Sequence, residues 1–248
     1  MKAIIIAAGL STRLGRYTES LPKGMLDING RTILQRQIDL LCKRNISDIV
    51  IIVGPHKEKF NLENVRYVED YEYESHDVLL SLMAARSEIT GNIIVTYSDI
   101  LYDGVVLDQM LESDADVGIA TDLDWEQKYK GRTEHPRSEA DNVVIEDERI
   151  VRIAKNISEI KVGQKNGEFI GMVRLSPDGS DILMREFDRV KNRLGPFHNA
   201  KTFAKSYITD MIQEMIEREI LITPVITSGS WCEIDTYQDL ENARNMFD

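Results

Sequence analysis

Positive charge is in short supply in this chain. It carries 30 Lys and Arg against 42 Asp and Glu, a formal net charge of -12 over 248 residues. No basic cluster is dense enough to displace the counterions of a polyphosphate backbone, which excludes a nucleic-acid surface. A small anionic substrate stays open, because a few local cations decide that. Cysteine is equally scarce. Cys42 and Cys232 are far apart and form no metal-ligand spacing, so two free thiols are expected rather than a disulfide. No apolar run approaches the ~20 residues of a membrane span. Met1 leads straight into an apolar stretch and leaves no room for a leader, so a soluble cytoplasmic protein is expected. Internal repeats and low-complexity segments are absent as well. Neither a Gly-Lys-Ser/Thr phosphate loop nor a Gly-x-Gly-x-x-Gly fingerprint occurs.

What is present starts at the N-terminus. Ala3-Ile4-Ile5-Ile6-Ala7-Ala8 is short, β-branched and uninterrupted by polar residues, as in a strand buried on both faces of a parallel sheet. Gly9 then lets the backbone turn and brings successive N–H groups together, a concave nest for anions. Arg13 follows as a planar fork and Lys23 as a point charge. Together they suit a triphosphate cradle. The same residues also suit the ordinary opening of an α/β domain, and spacing alone does not decide between the two.

Downstream, the periods alternate. Thr32 caps a helix predicted over 33–44, and strands are predicted over 49–53, 65–68, 92–97 and 115–120, with helices over 78–89 and 104–111 between them. This is the rhythm of a doubly wound α/β sheet. Residues 122–141 are polar and contain Pro136, so they form an excursion. Strands at 142–145 and 150–153 flank the acidic turn Glu146-Asp147-Glu148, and another covers 168–175. Helices over 180–194 and 200–218, a strand over 221–227 and a helix from Thr236 to Met246 close the chain. With 42% hydrophobic residues, the length suits one domain with a large core.

Two carboxylates sit where chemistry is expected. Asp99 follows a predicted strand, and ligands of open α/β sheets bind beyond the carboxyl ends of strands. A carboxylate there can hold Mg²⁺, a hard cation that takes oxygen ligands, or simply cap the next turn. Asp235 precedes the last helix and by itself reads as its cap, with Trp231 beside it as a core aromatic.

The stretch Lys2 to Leu14, with Gly9-Leu10-Ser11-Thr12-Arg13, followed by Leu21-Pro22-Lys23-Gly24-Met25-Leu26, resembles the signature of the sugar-phosphate nucleotidyltransferase superfamily. Two positions depart from it: Ser11 replaces a usual Gly, and Gly24 follows the Lys where Pro or Ala is commoner. Ser98-Asp99-Ile100-Leu101-Tyr102 and Trp231-Cys232-Glu233-Ile234-Asp235-Thr236 are similar to stretches of the phosphonoalkyl and choline-phosphate cytidylyltransferase branch, as are 129–140 and 150–155.

The resemblance implies a Rossmann-like doubly wound mixed sheet of the nucleotide-diphospho-sugar transferase type, with an inserted β-hairpin and lid and a helical cap. It implies a single domain: 1–121 as the nucleotide-binding half, 122–235 as the acceptor-binding insertion and cap, and 236–248 as the closing helix. It also implies a Mg²⁺-dependent transfer of CMP from CTP to a small phosphate or phosphonate. Ala7, Ala8, Gly9, Leu10, Ser11, Thr12, Arg13 and Lys23 would wrap the triphosphate. Gly54, Ser75, His76 and Asp99 would complete the nucleotide site, although Ser75-His76-Asp77-Val78-Leu79-Leu80 matches the base-reading pattern poorly. Asp99 and Asp235 would hold the metal, with Glu233 a weaker candidate. Arg13, Lys23 and Lys155 would be catalytic, and Arg132 and Lys155 would bind the acceptor. His135 is not needed as a base, because a phosphate oxyanion is already a nucleophile. A sugar-1-phosphate uridylyl- or guanylyltransferase, an inactive nucleotide-binding regulator and a structural partner protein are the alternatives.

Overall fold

The structure, a computed structural model, describes residues 1–10 and 12–247. The first strand, β1 (Lys2–Ala7), lies in the middle of the main sheet. Its side chains alternate between two cores. Ile4 and Ile6 enter the cluster on one face, and Ala3, Ile5 and Ala7 the cluster on the other. Burying each isoleucine stabilises the fold by roughly 1.5–3 kcal/mol.

A two-stranded hairpin follows, β2 (Asp27–Ile28) and β3 (Arg31–Thr32), and then α1 (Ile33–Lys43). Thr32 caps this helix by accepting from the Gln35 N–H at 3.1 Å, as its position predicts. The next elements are β4 (Asp48–Val53), β5 (Arg66–Glu69), α2 (Val78–Ala84), β6 (Ile93–Tyr97), β7 (Ile100–Tyr102), α3 (Gly104–Glu112) and β8 (Val117–Asp122). Strands β6, β1, β4 and β5 are parallel neighbours, so their carboxyl ends share one edge of the sheet.

The second half returns to the same sheet. The hairpin β9 (Asp141–Glu146) and β10 (Arg149–Lys155) leads to β11 (Lys165–Leu175), which runs antiparallel to β6, β8 and β9. Gly171 on β11 has φ +80, and a Cβ there would lie 2.1 Å from Ile100 Cδ1, so only glycine fits this irregular crossing. Then come α4 (Pro177–Val190), α5 (Ile208–Glu217), β12 (Thr223–Ile226), β13 (Trp231–Glu233) and α6 (Tyr237–Met246). The result is a mixed nine-stranded sheet covered by helices.

Several boundaries differ from the sequence expectation. The helix expected over 78–89 stops at Ala84 and continues as a 3-10 turn. The helix expected over 200–218 starts only at Ile208. Asp210 accepts from the Tyr207 and Asn199 N–H groups, so its carboxylate caps the helix there and ties down the preceding loop. The pairing of β7 with β13 has no counterpart in the expectation, and it matters most for the site. Cys42 and Cys232 are both free. No helix among the described residues is long and apolar enough to cross a membrane.

Candidate active site

A cavity of about 400 Å³ opens at the carboxyl ends of β1 and β6. The β1 end supplies its floor through Ala7, Ala8, Gly9 and Leu10. Ser11 lies outside the described residues, as does the side chain of Thr12. Gly54 does not line the cavity. A Cβ there would stand 2.8 Å from the Ala8 carbonyl oxygen, so Gly54 lets the ends of β1 and β4 approach closely.

Strands β7 and β13 build the polar corner. They pair antiparallel with Ile100 opposite Glu233, and the Ile234 N–H donates to the Asp99 carbonyl at 2.9 Å. Residues that are 136 positions apart thereby become neighbours. Asp99 precedes one strand and Asp235 follows the other, so both carboxylates reach the same point. Lys23 Nζ lies between them, 2.9 Å from Asp99 Oδ2 and 2.5 Å from Asp235 Oδ1. Arg13 Nη2 holds the other Asp235 oxygen at 2.8 Å. Gly24 explains how Lys23 gets there. A Cβ at Gly24 would meet Leu34 Cγ at 2.8 Å and Ser98 Cβ at 3.1 Å, so the Lys23–Met25 turn packs flush against α1.

The charges are strongly coupled. Burial works against the Lys23 ammonium, but Asp99 and Asp235 outweigh it and hold its pKa above the ordinary lysine value. Burial likewise opposes the Asp235 carboxylate, and Lys23 more than compensates, lowering its pKa. Glu233 is pushed well above the carboxylate range by burial and then by the charges of Asp235 and Asp99. Asp99 Oδ1 is buried with no hydrogen-bond partner. An orphaned carboxylate oxygen beside a second carboxylate is an oxygen donor set that fits a hard divalent cation.

The far end of the cavity has the opposite character. Glu139, Asp141 and Glu168 line it together with Tyr97, Phe169 and Tyr207. Glu168 is buried. Its Oε1 accepts from the Tyr129 hydroxyl at 2.5 Å, its Oε2 has no partner, and burial pushes its pKa up to about 8. Burial raises Asp141 to about 6. Lys155 stands here too, 2.8 Å from Glu139 Oε2, with its ammonium above the Tyr207 ring. Lys205 adds a second cation to the lining.

The excursion over 122–141 lies against this corner. His135 is buried, with Nδ1 3.4 Å from Asp235 Oδ2 and Nε2 3.7 Å from Glu233 Oε2. Burial, reinforced by Arg132, lowers its pKa. Arg132 itself does not line the cavity. It donates to Asp239 Oδ1 at 2.8 Å and stacks on Tyr129, so it fastens the excursion to α6. Ser75 also turns away, and its hydroxyl donates to the Glu72 carbonyl at 2.8 Å. His76 does line the cavity, with Nε2 3.1 Å from the buried Asp70 carboxylate. Of the residues singled out from sequence, the cavity thus gathers Ala7 to Leu10, Arg13, Lys23, His76, Asp99, Lys155 and Asp235. Gly54, Ser75 and Arg132 stand behind it. Sequence reasoning missed Glu139, Asp141 and Glu168. The one signal was Glu168, the lone acid of its strand, directly before the uncharged run Phe169 to Val173.

A glycine turn at the strand ends, two cations and a carboxylate pair suit enzymes that transfer nucleotidyl groups from triphosphates. Comparison with known proteins agrees: residues 3–136 match the MobA-like NTP transferase domain, and the chain belongs to that family. It is a nucleotidyltransferase. The chain is 22% identical over 254 residues to the CTP:phosphoglutamine cytidylyltransferase of Campylobacter jejuni, covering 97% of this chain and 98% of that one. It is 33% identical to the choline-phosphate cytidylyltransferase of Streptococcus pneumoniae over 117 residues, 46% of this chain and about half (51%) of that protein's length. Among solved structures, the CTP:phosphocholine cytidylyltransferase of Streptococcus pneumoniae superposes with a TM-score of 0.72 at 22% identity, over 100% of this chain and 99% of that one.

Proposed function

We propose that this nucleotidyltransferase is a cytidylyltransferase that transfers CMP from CTP to a small phosphate or phosphonate, of the aminoalkylphosphonate or choline-phosphate kind. The observation that carries the reading is the polarity of the cavity. Arg13 and Lys23 meet the paired carboxylates at one end, while unpartnered acid and aromatic faces line the other. The first end suits a triphosphate. The second suits a cationic tail, because carboxylates and aromatic faces both attract ammonium groups. The proposed division keeps 1–121 as the nucleotide half and 122–235 as the acceptor half, closed by 236–248.

In the proposed reaction an acceptor oxyanion attacks the α-phosphorus of CTP. A new P–O bond forms, the bond from that phosphorus to the β-bridging oxygen breaks, and pyrophosphate leaves with the electron pair. No proton has to be removed from the nucleophile, so positioning and charge neutralisation carry the step. Arg13 and Lys23 offset the charge of the triphosphate and the departing pyrophosphate. Lys155 orients the acceptor's anionic head. Asp99 and Asp235 would hold a Mg²⁺ ion, which would supply further neutralisation of phosphate charge.

The test is a matrix of the four nucleoside triphosphates against choline phosphate, aminoethylphosphonate, polyol phosphates and sugar 1-phosphates, read by pyrophosphate release. Turnover with CTP and a cation-bearing acceptor is expected. Turnover with UTP or GTP and a sugar 1-phosphate would replace this reading with the sugar-nucleotide one. Silence across the whole matrix would leave a nucleotide-binding regulator.

A further inference from the structure

The ammonium of Lys23 occupies the point where the two carboxylates of the polar corner converge. It is 2.9 Å from Asp99 Oδ2 and 2.5 Å from Asp235 Oδ1, and its side chain is only 11% exposed. A divalent cation held by the same two carboxylates would need that position. Two cations cannot share it, since unit charges a few ångströms apart repel by several kcal/mol at the effective dielectric of a partly buried site. Arg13 already takes Asp235 Oδ2, which leaves the orphaned Asp99 Oδ1 as the free donor of the pair.

We propose that Lys23 is a built-in placeholder that keeps the divalent cation out of this corner until a nucleotide arrives. This inference rests on the proposed triphosphate site. Lysine is suited to the task because its charge is a compact point on a flexible four-carbon stem. A triphosphate on the β1 loop offers Lys23 a denser negative charge than two carboxylates. As Lys23 turns towards it, Asp99 and Asp235 lose their shared counter-ion and become a vacant oxygen pair. Nucleotide and metal therefore bind with positive coupling through one side chain, and binding of each strengthens the other equally. The arrangement also stops the free enzyme from holding a metal in the attitude needed for chemistry before a substrate is present.

The experiment titrates Mn²⁺ into nucleotide-free protein and reads the protein-bound ion by electron paramagnetic resonance, with folding checked by circular dichroism. Wild type is expected to bind weakly. Lys23→Met and Lys23→Gln are expected to bind at least about tenfold more tightly, and Lys23→Arg, which keeps the charge, should stay as weak as wild type. Adding CTP to wild type, with the Mn²⁺–CTP signal subtracted, should restore binding to the corner. Tight stoichiometric Mn²⁺ binding by nucleotide-free wild type overturns the inference, whether or not the neutral variants fold. So does equal affinity in wild type and the neutral variants. Pyrophosphate release by the same wild-type preparation separates this outcome from the functional reading. Turnover with constitutive metal binding removes only the placeholder, whereas gated metal binding with no turnover on any triphosphate removes only the cytidylyltransferase.

Discussion

The two ends of the cavity handle buried charge in opposite ways. At the β7–β13 corner the two carboxylates already hold counter-ions, since Lys23 bridges Asp99 and Asp235 and Arg13 adds a second contact to Asp235, and only Asp99 Oδ1 is left without a partner. At the far end the carboxylates outnumber their partners. Glu168 keeps an unsatisfied oxygen and a pKa near about 8, and Asp141 is raised to about 6. A corner that holds a counter-ion in the free protein can exchange it for a ligand of like character. An end that is left unsatisfied costs stability, and that cost falls when a ligand supplies the missing positive charge.

The largest expected effect breaks the satisfied corner. Lys23→Ala should stay folded but lose pyrophosphate release by about 100- to 1000-fold, the range for removing one group that stabilises developing charge. Near-normal CTP turnover would refute its assignment. Asp99→Asn should follow closely. It should abolish any rescue of chelator-treated enzyme by added Mg²⁺, and an unchanged Mg²⁺ requirement would remove Asp99 from the metal site.

The next two predictions probe the unsatisfied end. Above pH 8, where Glu168 is ionised, Glu168→Gln should raise KM for a cation-tailed acceptor by about tenfold, the effect of a buried charge contact of about 1–2 kcal/mol, and leave KM for CTP unchanged. Equal effects on both substrates would make Glu168 merely structural. The same residue carries a pH signature. Its folded pKa of about 8 lies above its unfolded value, so the folded state retains a proton that the unfolded state has released. Stability should therefore fall as pH rises from the unfolded value towards 8. The loss attributable to this group is on the order of 4 kcal/mol as a ceiling. Glu168→Gln should flatten the dependence, measured by urea denaturation across that range.

The smallest effect belongs to Lys155→Ala. Lys155 is half-exposed and already paired with Glu139, so the variant should weaken acceptor KM by only a few-fold at physiological salt. A larger loss in kcat than in KM would promote Lys155 from orienting group to participant in the transition state.

Much of the frame was legible because it depends on local pattern. The β-branched run at 3–8 can only be buried on both faces, and Thr32 and Thr236 each cap the helix that follows them. The N-terminal glycine turn with Arg13 and Lys23 offered a candidate anion site, but its spacing suits an ordinary α/β opening equally well, and only the family resemblance favoured the first reading. Arg132 and Ser75 were assigned to substrate and nucleotide by their place in matching stretches, but local pattern says nothing of where a side chain turns. Asp239 captures one and the Glu72 carbonyl the other.

The sequence by itself determined the alternating α/β plan and offered the candidate anion turn and the two candidate metal carboxylates. Only tertiary structure decided that these carboxylates meet. Their meeting depends on the antiparallel register of β7 with β13, two three-residue strands whose own residues carry too little pattern to announce a pairing between segments that lie so far apart along the chain. It also decided that Lys23 stands between them and that Glu168 is buried without a full set of partners. The physical reason is that periodicity encodes which face of an element is buried, whereas a charge's partner and its desolvation are set by distances that exist only once the chain has closed on itself.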